Sequence, residues 1–176
     1  MNGIVHERVL ALDIHPLSFG FAMFYGPDEL IDWGIKNFRH GVNAVKVPLH
    51  VKLALILDQY EPDTVVFKEP RTEARKTIAR AISNLAQRRR IPVRRISGAT
   101  VRRVFPDQNH NKYQIASVIA KRYPELSPRL GPRRKFWEAE KYSMSIFDAV
   151  AIGIAYFTQE AMSDNRNDRA FSPLPR

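Results

Sequence analysis

The 176-residue chain has no cysteine. Disulfides and thiolate metal sites are thereby excluded, and carboxylate and imidazole remain as the strong metal ligands. Oxygen ligands suit hard cations such as magnesium. No apolar run reaches the length of about 18 residues that a membrane helix needs. The N-terminus also lacks the basic start and apolar stretch of an export signal. Neither membrane association nor secretion is indicated, and the cytosol is the expected compartment. Acidic residues are scarce too, at 18 against 28 Lys and Arg, for a net charge of +10.

That charge is concentrated. Residues 1–70 carry 6 Lys/Arg and 9 Asp/Glu, and residues 136–176 carry 4 and 6, whereas residues 71–135 carry 18 and 3. The basic middle is interleaved with helical apolar spacing, so its charges decorate folded elements and do not form a loose tail. A polyanion, nucleic acid first, is the expected partner, with a merely solvated surface as the plainer reading. With 44% apolar residues the chain supports one substantial core. One domain is expected over residues 1–161, with residues 162–176 read as a disordered tail.

The apolar runs Arg8 to Asp13 and Phe19 to Tyr25 read as two strands of a hairpin. A third strand is expected over Leu30 to Ile35, after the turn signal Gly26, Pro27, Asp28. Apolar positions 45, 49, 53, 56 and 57 predict a crossover helix from Val45 to Gln59. Thr64 to Phe67 is a β-branched strand running into Lys68, Glu69 and Pro70. A basic helix over 72–89 and a short strand over 92–96 follow, an order that favours parallel pairing. Two shorter helices are expected at 98–105 and 111–122, then an exposed, proline-rich connection at 124–135. A last helix is expected from Phe136 to Ala161, and Asp148 is the one charge between Ile146 and Thr158.

Three acids stand in apolar sequence surroundings: Asp13 and Glu69 at strand ends, and Asp148 within that helix. An ionised carboxylate in a core costs several kcal/mol unless paired, protonated or metal-bound. Taken singly, Asp13 also reads as a turn former and Glu69 as an edge salt bridge with an arginine. Asp148 has no such plain role. Together the three describe a hard-cation site. Two magnesium ions about 4 Å apart would support in-line phosphodiester hydrolysis.

Val9 to Asp13 followed by Phe19-Gly20, Val65 to Pro70, and Asp148-Ala149-Val150-Ala151-Ile152 together resemble the RuvC Holliday-junction resolvases of the RNase H-like superfamily. The similarity spans about residues 8–160. It implies an α/β, RNase H-like fold: a five-stranded mixed sheet, three antiparallel strands then parallel ones, flanked by helices. It further implies a metal-dependent endodeoxyribonuclease that makes paired symmetric nicks in four-way junctions, with Asp13, Glu69 and Asp148 holding two Mg2+ ions, or Mn2+ in their place. Ala99 to Arg102 and Asn111 to Ile115 resemble the family's two basic phosphate-binding positions, which makes Arg102 and Lys112 nucleic-acid contacts.

Three departures stand out. The family has Asp-Pro-Gly where this chain has Asp13, Ile14, His15 and Pro16. It has Asp or His one helical turn before the last Asp, where this chain has Ser145. Arg102 replaces a lysine. Glu138 and Glu140 lie earlier on the same expected helix, as compensating ligands or as a solvated helix start.

Symmetric cutting implies a twofold homodimer, and the 72–89 helix, with Arg71, Arg75, Lys76 and Arg80 beside its apolar stripe, is the surface expected to meet both partner and DNA. Phe105 and Tyr113 read as core packing first and as base wedges second. Other readings are an RNase H-like nuclease with another nucleic-acid substrate, and a non-catalytic nucleic-acid-binding scaffold of the same fold. An actin-like phosphotransferase would need a glycine-rich loop after Asp13, where Ile14, His15, Pro16 and Leu17 stand instead. Nothing points to a small-molecule cofactor.

Overall fold

The computed structural model describes residues 6–38, 47–105, 111–133 and 143–170. β1 (Arg8–Ile14), β2 (Ser18–Tyr25) and β3 (Leu30–Asn37) open the chain as an antiparallel meander. α1 (Leu49–Tyr60) crosses to β4 (Thr64–Lys68), and α2 (Glu73–Arg88) crosses to β5 (Val93–Ile96). Both crossovers return the strand parallel to its neighbour, giving the sheet order β3-β2-β1-β4-β5. α3 (Gly98–Val104), α4 (Lys112–Arg122), a 3-10 turn (Pro124–Leu126), α5 (Ser127–Leu130) and α6 (Met144–Ala170) complete the chain. This is the five-stranded mixed sheet expected from the sequence.

β1 is central and covered on both faces, which is why it is an unbroken apolar run instead of an alternating one. On one face Val9, Ala11, Ala22, Phe24 and Val66 pack with residues of α4 and α6. On the other, Leu10, Leu12, Phe21, Met23, Val65 and Phe67 pack against α1 and α2. α2 starts at a Thr72 cap, whose hydroxyl accepts from the Arg75 amide. Its apolar stripe is used internally: Ile82 and Ala86 are fully buried, with Ile78 and Leu85 packed beside them. The stripe expected to meet a partner therefore faces the chain's own sheet, and the charged side of the helix faces out.

Two further expectations are corrected. The 124–135 connection is not simply exposed, because Leu126 and Tyr123 anchor it in the core. The last helix continues to Ala170, beyond the expected end at Ala161 and into the stretch read as a tail. No proline or second glycine stands between Gly153 and Pro173, so nothing in the backbone stops it earlier. Residues 171–176 and the expected helix start at 136–142, with Glu138 and Glu140, lie outside the described residues.

Two glycines set how closely α6 lies on the sheet. A Cβ on Gly20 would sit 2.3 Å from the Ser145 carbonyl oxygen, and one on Gly153 would sit 2.2 Å from the Phe24 ring. Bare backbone at these crossings lets helix and strand approach past ordinary side-chain separation.

Candidate active site

Asp13 is the penultimate residue of β1 and pairs across to Gly20 of β2. The missing side chain at Gly20 admits the first turn of α6, and with it Ser145, whose hydroxyl donates to Asp13 Oδ2 at 2.9 Å. Asp148 follows three residues later on the same helix. Two carboxylates thus meet at the carboxyl end of the central strand, held by the longest helix and the most buried strand. Asp13 is 4% exposed and the Asp148 side chain 18%.

Basic side chains surround the pair. His15 Nε2 lies 2.6 Å from Asp13 Oδ2, and its Nδ1 lies 3.4 Å from Arg75 Nη2. Lys112 Nζ donates to Asp148 Oδ2 at 2.8 Å. Lys68 acts electrostatically on both carboxylates. These contacts split the two acids. Burial alone would push Asp13 up, but the hydrogen bond and charge of His15, then Lys68 and Ser145, outweigh it and hold the carboxyl below the ordinary aspartate range. Burial, then repulsion from Asp13, pushes Asp148 up, and Lys112 and Lys68 only partly oppose this.

The stability consequences have opposite signs. Asp13, its pKa lowered by folding, stabilises the fold above its unfolded pKa, and this contribution is lost as pH falls. Asp148, its pKa raised, penalises folding above its folded pKa, and the penalty is relieved as pH falls through that value. Asp148→Asn is therefore expected to raise the melting temperature at neutral pH in EDTA by about 2–4 °C, the size of a roughly 1 kcal/mol change in a chain of this length. Differential scanning fluorimetry at pH 7 reads this directly, and a lower melting temperature would contradict the raised pKa.

Glu69 is not part of this pair. The parallel register of β1 and β4 ends at Leu12↔Phe67, so the next residues in line are Asp13 and Lys68. Alternation puts Lys68 on the face of Asp13 and Glu69 on the opposite one. Glu69 is exposed, and its Oε1 lies 3.7 Å from Arg95 Nη1. Its backbone stays tied to β5, with the amide donating to the Ile96 carbonyl at 2.9 Å. Among the described residues no three metal-capable side chains of His, Asp or Glu gather in one place.

The basic residues nominated from sequence divide as well. Arg75 and Lys112 touch the centre, and Arg71 and Arg102 stand at its edge around Gly98. Lys76 is paired with Glu73 at 2.7 Å, and Arg80 is exposed further along α2. Phe105 is buried in the core, and the Tyr113 hydroxyl donates to the Gly131 carbonyl at 3.4 Å.

Sequence reasoning missed two contributors. Lys68 has a signal only once the strand register is known. Ser145 stood out as a departure from an acidic ligand, and its actual contact is a hydrogen bond to Asp13. His15, read as a neighbour of the site or as structural, bridges Asp13 and Arg75.

No family model matches this sequence, and no curated protein matches it significantly. Solved structures do. The Thermus thermophilus RuvC in complex with a Holliday junction substrate aligns with a TM-score of 0.63 at 16% identity, over 89% of this chain and 96% of that one. The yeast mitochondrial Holliday junction resolvase aligns with 0.64 at 12%, over 92% and 84%. The Fowlpox virus resolvase, solved with its substrate Holliday junction DNA, aligns with 0.56 at 13%, over 87% and 98%. The fold is RuvC-like. Within this sheet Asp13 lies one residue before the end of the central strand and Asp148 lies on α6. Among the described residues no helix is long and apolar enough to cross a membrane.

Proposed function

We propose that this chain is a divalent-metal-dependent endonuclease acting on branched DNA, with the four-way junction as its substrate. The observation that carries this reading is the pairing of buried Asp13 with half-buried Asp148 at the end of the central strand. Folding presses two like charges together there and sets Lys68, Lys112 and His15 around them. Such an arrangement is costly unless it serves a ligand.

The donor set fits one hard divalent ion, since two carboxylates plus substrate phosphate and water are a common magnesium environment. When bound, magnesium or manganese supplies Lewis acidity for phosphodiester hydrolysis. The chain's own residues prepare the site. Ser145 and His15 fix the Asp13 carboxylate, Arg75 orients His15, and Lys112 balances Asp148. Arg102 and Lys112 are proposed to take backbone phosphates, as the sequence resemblance suggests. A two-ion site would require Glu69 both to leave Arg95 and to turn toward the pair. Paired nicks would require two such sites facing one junction, hence a twofold homodimer.

A second reading is a junction-binding protein that does not cut. It is favoured by Lys68 and Lys112 already balancing the two aspartates and by the outward position of Glu69. Cleavage of a labelled synthetic four-way junction, with magnesium or manganese and with Asp148→Asn as the blank, separates the two. Paired symmetric nicks confined to the junction and lost in the variant are expected. Cutting of matched duplex, single-strand or RNA–DNA hybrid controls instead would name another nuclease, and tight binding with no metal-dependent cutting would establish the second reading.

A further inference from the structure

A concavity of about 760 Å³ opens between α3, α4 and α6. Phe105, Ile119 and Ile154 in its wall are buried, and Val118, 46% exposed, stands at its rim. Protein interiors pack as densely as organic crystals and hold few voids larger than a water molecule, so a space of this size is not a packing defect. It falls within the range of about 300–1,000 Å³ of small-molecule sites. The hydroxyls of the wall are already used. Thr158 donates to the Ile154 carbonyl at 2.9 Å and Ser117 to the Tyr113 carbonyl at 2.8 Å, each within its own helix, and Tyr113 donates to the Gly131 carbonyl at 3.4 Å. The charge on the wall is of one sign: Lys121, Arg122 and Arg133 line it, and among the described residues no acid does. Arg122 is drawn aside to Asp28, at 2.8 Å, and to the Pro27 carbonyl, at 3.0 Å. Lys121 and Arg133 are exposed and have no carboxylate partner among the described residues.

We infer that this cavity is a binding site for a small amphipathic anion, with an apolar body held among the side chains of the three helices and a single carboxylate or sulfonate head at Lys121 and Arg133. Filling the space restores dispersion contacts that its walls forgo and takes apolar surface out of water. The two cations give the head charge-assisted hydrogen bonds. A nucleic-acid strand is a poor match, because its charged backbone offers nothing to a wall of valine, isoleucine and phenylalanine. The chain's own residues 171–176 carry an arginine and no acidic side chain, so charge disfavours them as the occupant. The cavity is separate from the carboxylate pair, since Ile154 lies six residues after Asp148, about 9 Å along α6. The inference is therefore independent of the function proposed above.

The test is isothermal titration calorimetry of the full chain with sodium decanoate. Decyltrimethylammonium keeps the apolar body and reverses the head, and butyrate keeps the head without the body. One decanoate per chain is expected, bound about tenfold or more tightly than either comparison ligand. Lys121→Glu combined with Arg133→Glu should weaken decanoate about tenfold and turn the preference toward decyltrimethylammonium. Val118→Trp, at an exposed position on α4, should fill the cavity and abolish binding while circular dichroism stays native. Arg129→Glu, an exposed position on α5 outside the cavity wall, should bind as the wild type does. If the double charge variant fails to fold, Lys121→Gln alone carries the charge arm with a smaller loss in the same direction. No saturable decanoate binding, equal binding of both amphiphiles, or undiminished binding by Val118→Trp would overturn the site. So would wild-type self-association in sedimentation velocity that Val118→Trp abolishes, because a second copy would then be the occupant.

Discussion

Asp13→Asn is expected to abolish metal-dependent cleavage, by about 10³-fold or more, and also to destabilise the fold, by about 1–3 kcal/mol. The two effects have different origins. Cleavage is lost because the amide cannot replace a carboxylate for a hard cation. Stability is lost because His15, Lys68 and Ser145 are all arranged around a negative Asp13. A neutral side chain leaves those groups facing each other with no anion between them. Asp148→Asn should lose cleavage equally and yet melt higher than wild type in EDTA. Two inactive variants with opposite stability changes, read by urea denaturation at pH 7, would separate the anchored carboxylate from the strained one. Equal destabilisation of both would mean that Asp148 is simply a satisfied partner of Lys112.

Gly20→Ala is expected to have the largest effect of any substitution that leaves every polar group in place. The new methyl would sit 2.3 Å from the Ser145 carbonyl oxygen, which is backbone and cannot rotate aside. Overpacking of this kind costs about 1–3 kcal/mol, or roughly 2–12 °C in melting temperature for a chain of this size. The displaced element is the first turn of α6, so Ser145 and Asp148 move with it. A shift of about 1 Å in a catalytic group costs roughly 10²-fold in rate. Cleavage measured well below the melting temperature should therefore fall by about that factor while circular dichroism at the same temperature stays native. A variant with unchanged rate and stability would show that α6 does not rest on Gly20 in solution.

The parts of this architecture that depend on local pattern were legible in the sequence. β1 reads as a buried strand because it is covered on both faces, and α2 reads as a helix because Ile78, Ile82 and Leu85 recur at helical spacing. The antiparallel opening and the parallel pairing of the later strands followed from the sequence of strand and helix types. Asp148 was conspicuous as a lone charge on a buried helix, and it lies where that oddity suggested, against Asp13.

What the sequence concealed depends on register and direction. Nothing local distinguishes Lys68 from Glu69 at the end of β4, and a one-residue step decides which of them shares a face with Asp13. The strand-end motif drew attention to Glu69, and the pairing of β1 with β4 adds Lys68 beside Asp13. The close crossing at Gly20 was equally invisible, because a glycine between aromatics records that something approaches but not what. The extent of α6 was misjudged for a simpler reason: polar composition after Ala161 resembles a tail, yet a helix already nucleated continues until its backbone is stopped.

The two ends of the carboxylate pair have a kinetic implication. Asp13 belongs to the central strand and Asp148 to the helix packed across it, with Gly20 and Gly153 fixing the distance between them. Loop-borne sites open and close by fluctuations that leave the rest of a protein intact. Here the acidic groups cannot separate without lifting α6 from the sheet, which means breaking the core itself. Amide hydrogens around Ala11 and Ala149 should thus exchange only through global unfolding. Motion at this site is expected to belong to the basic elements surrounding the pair.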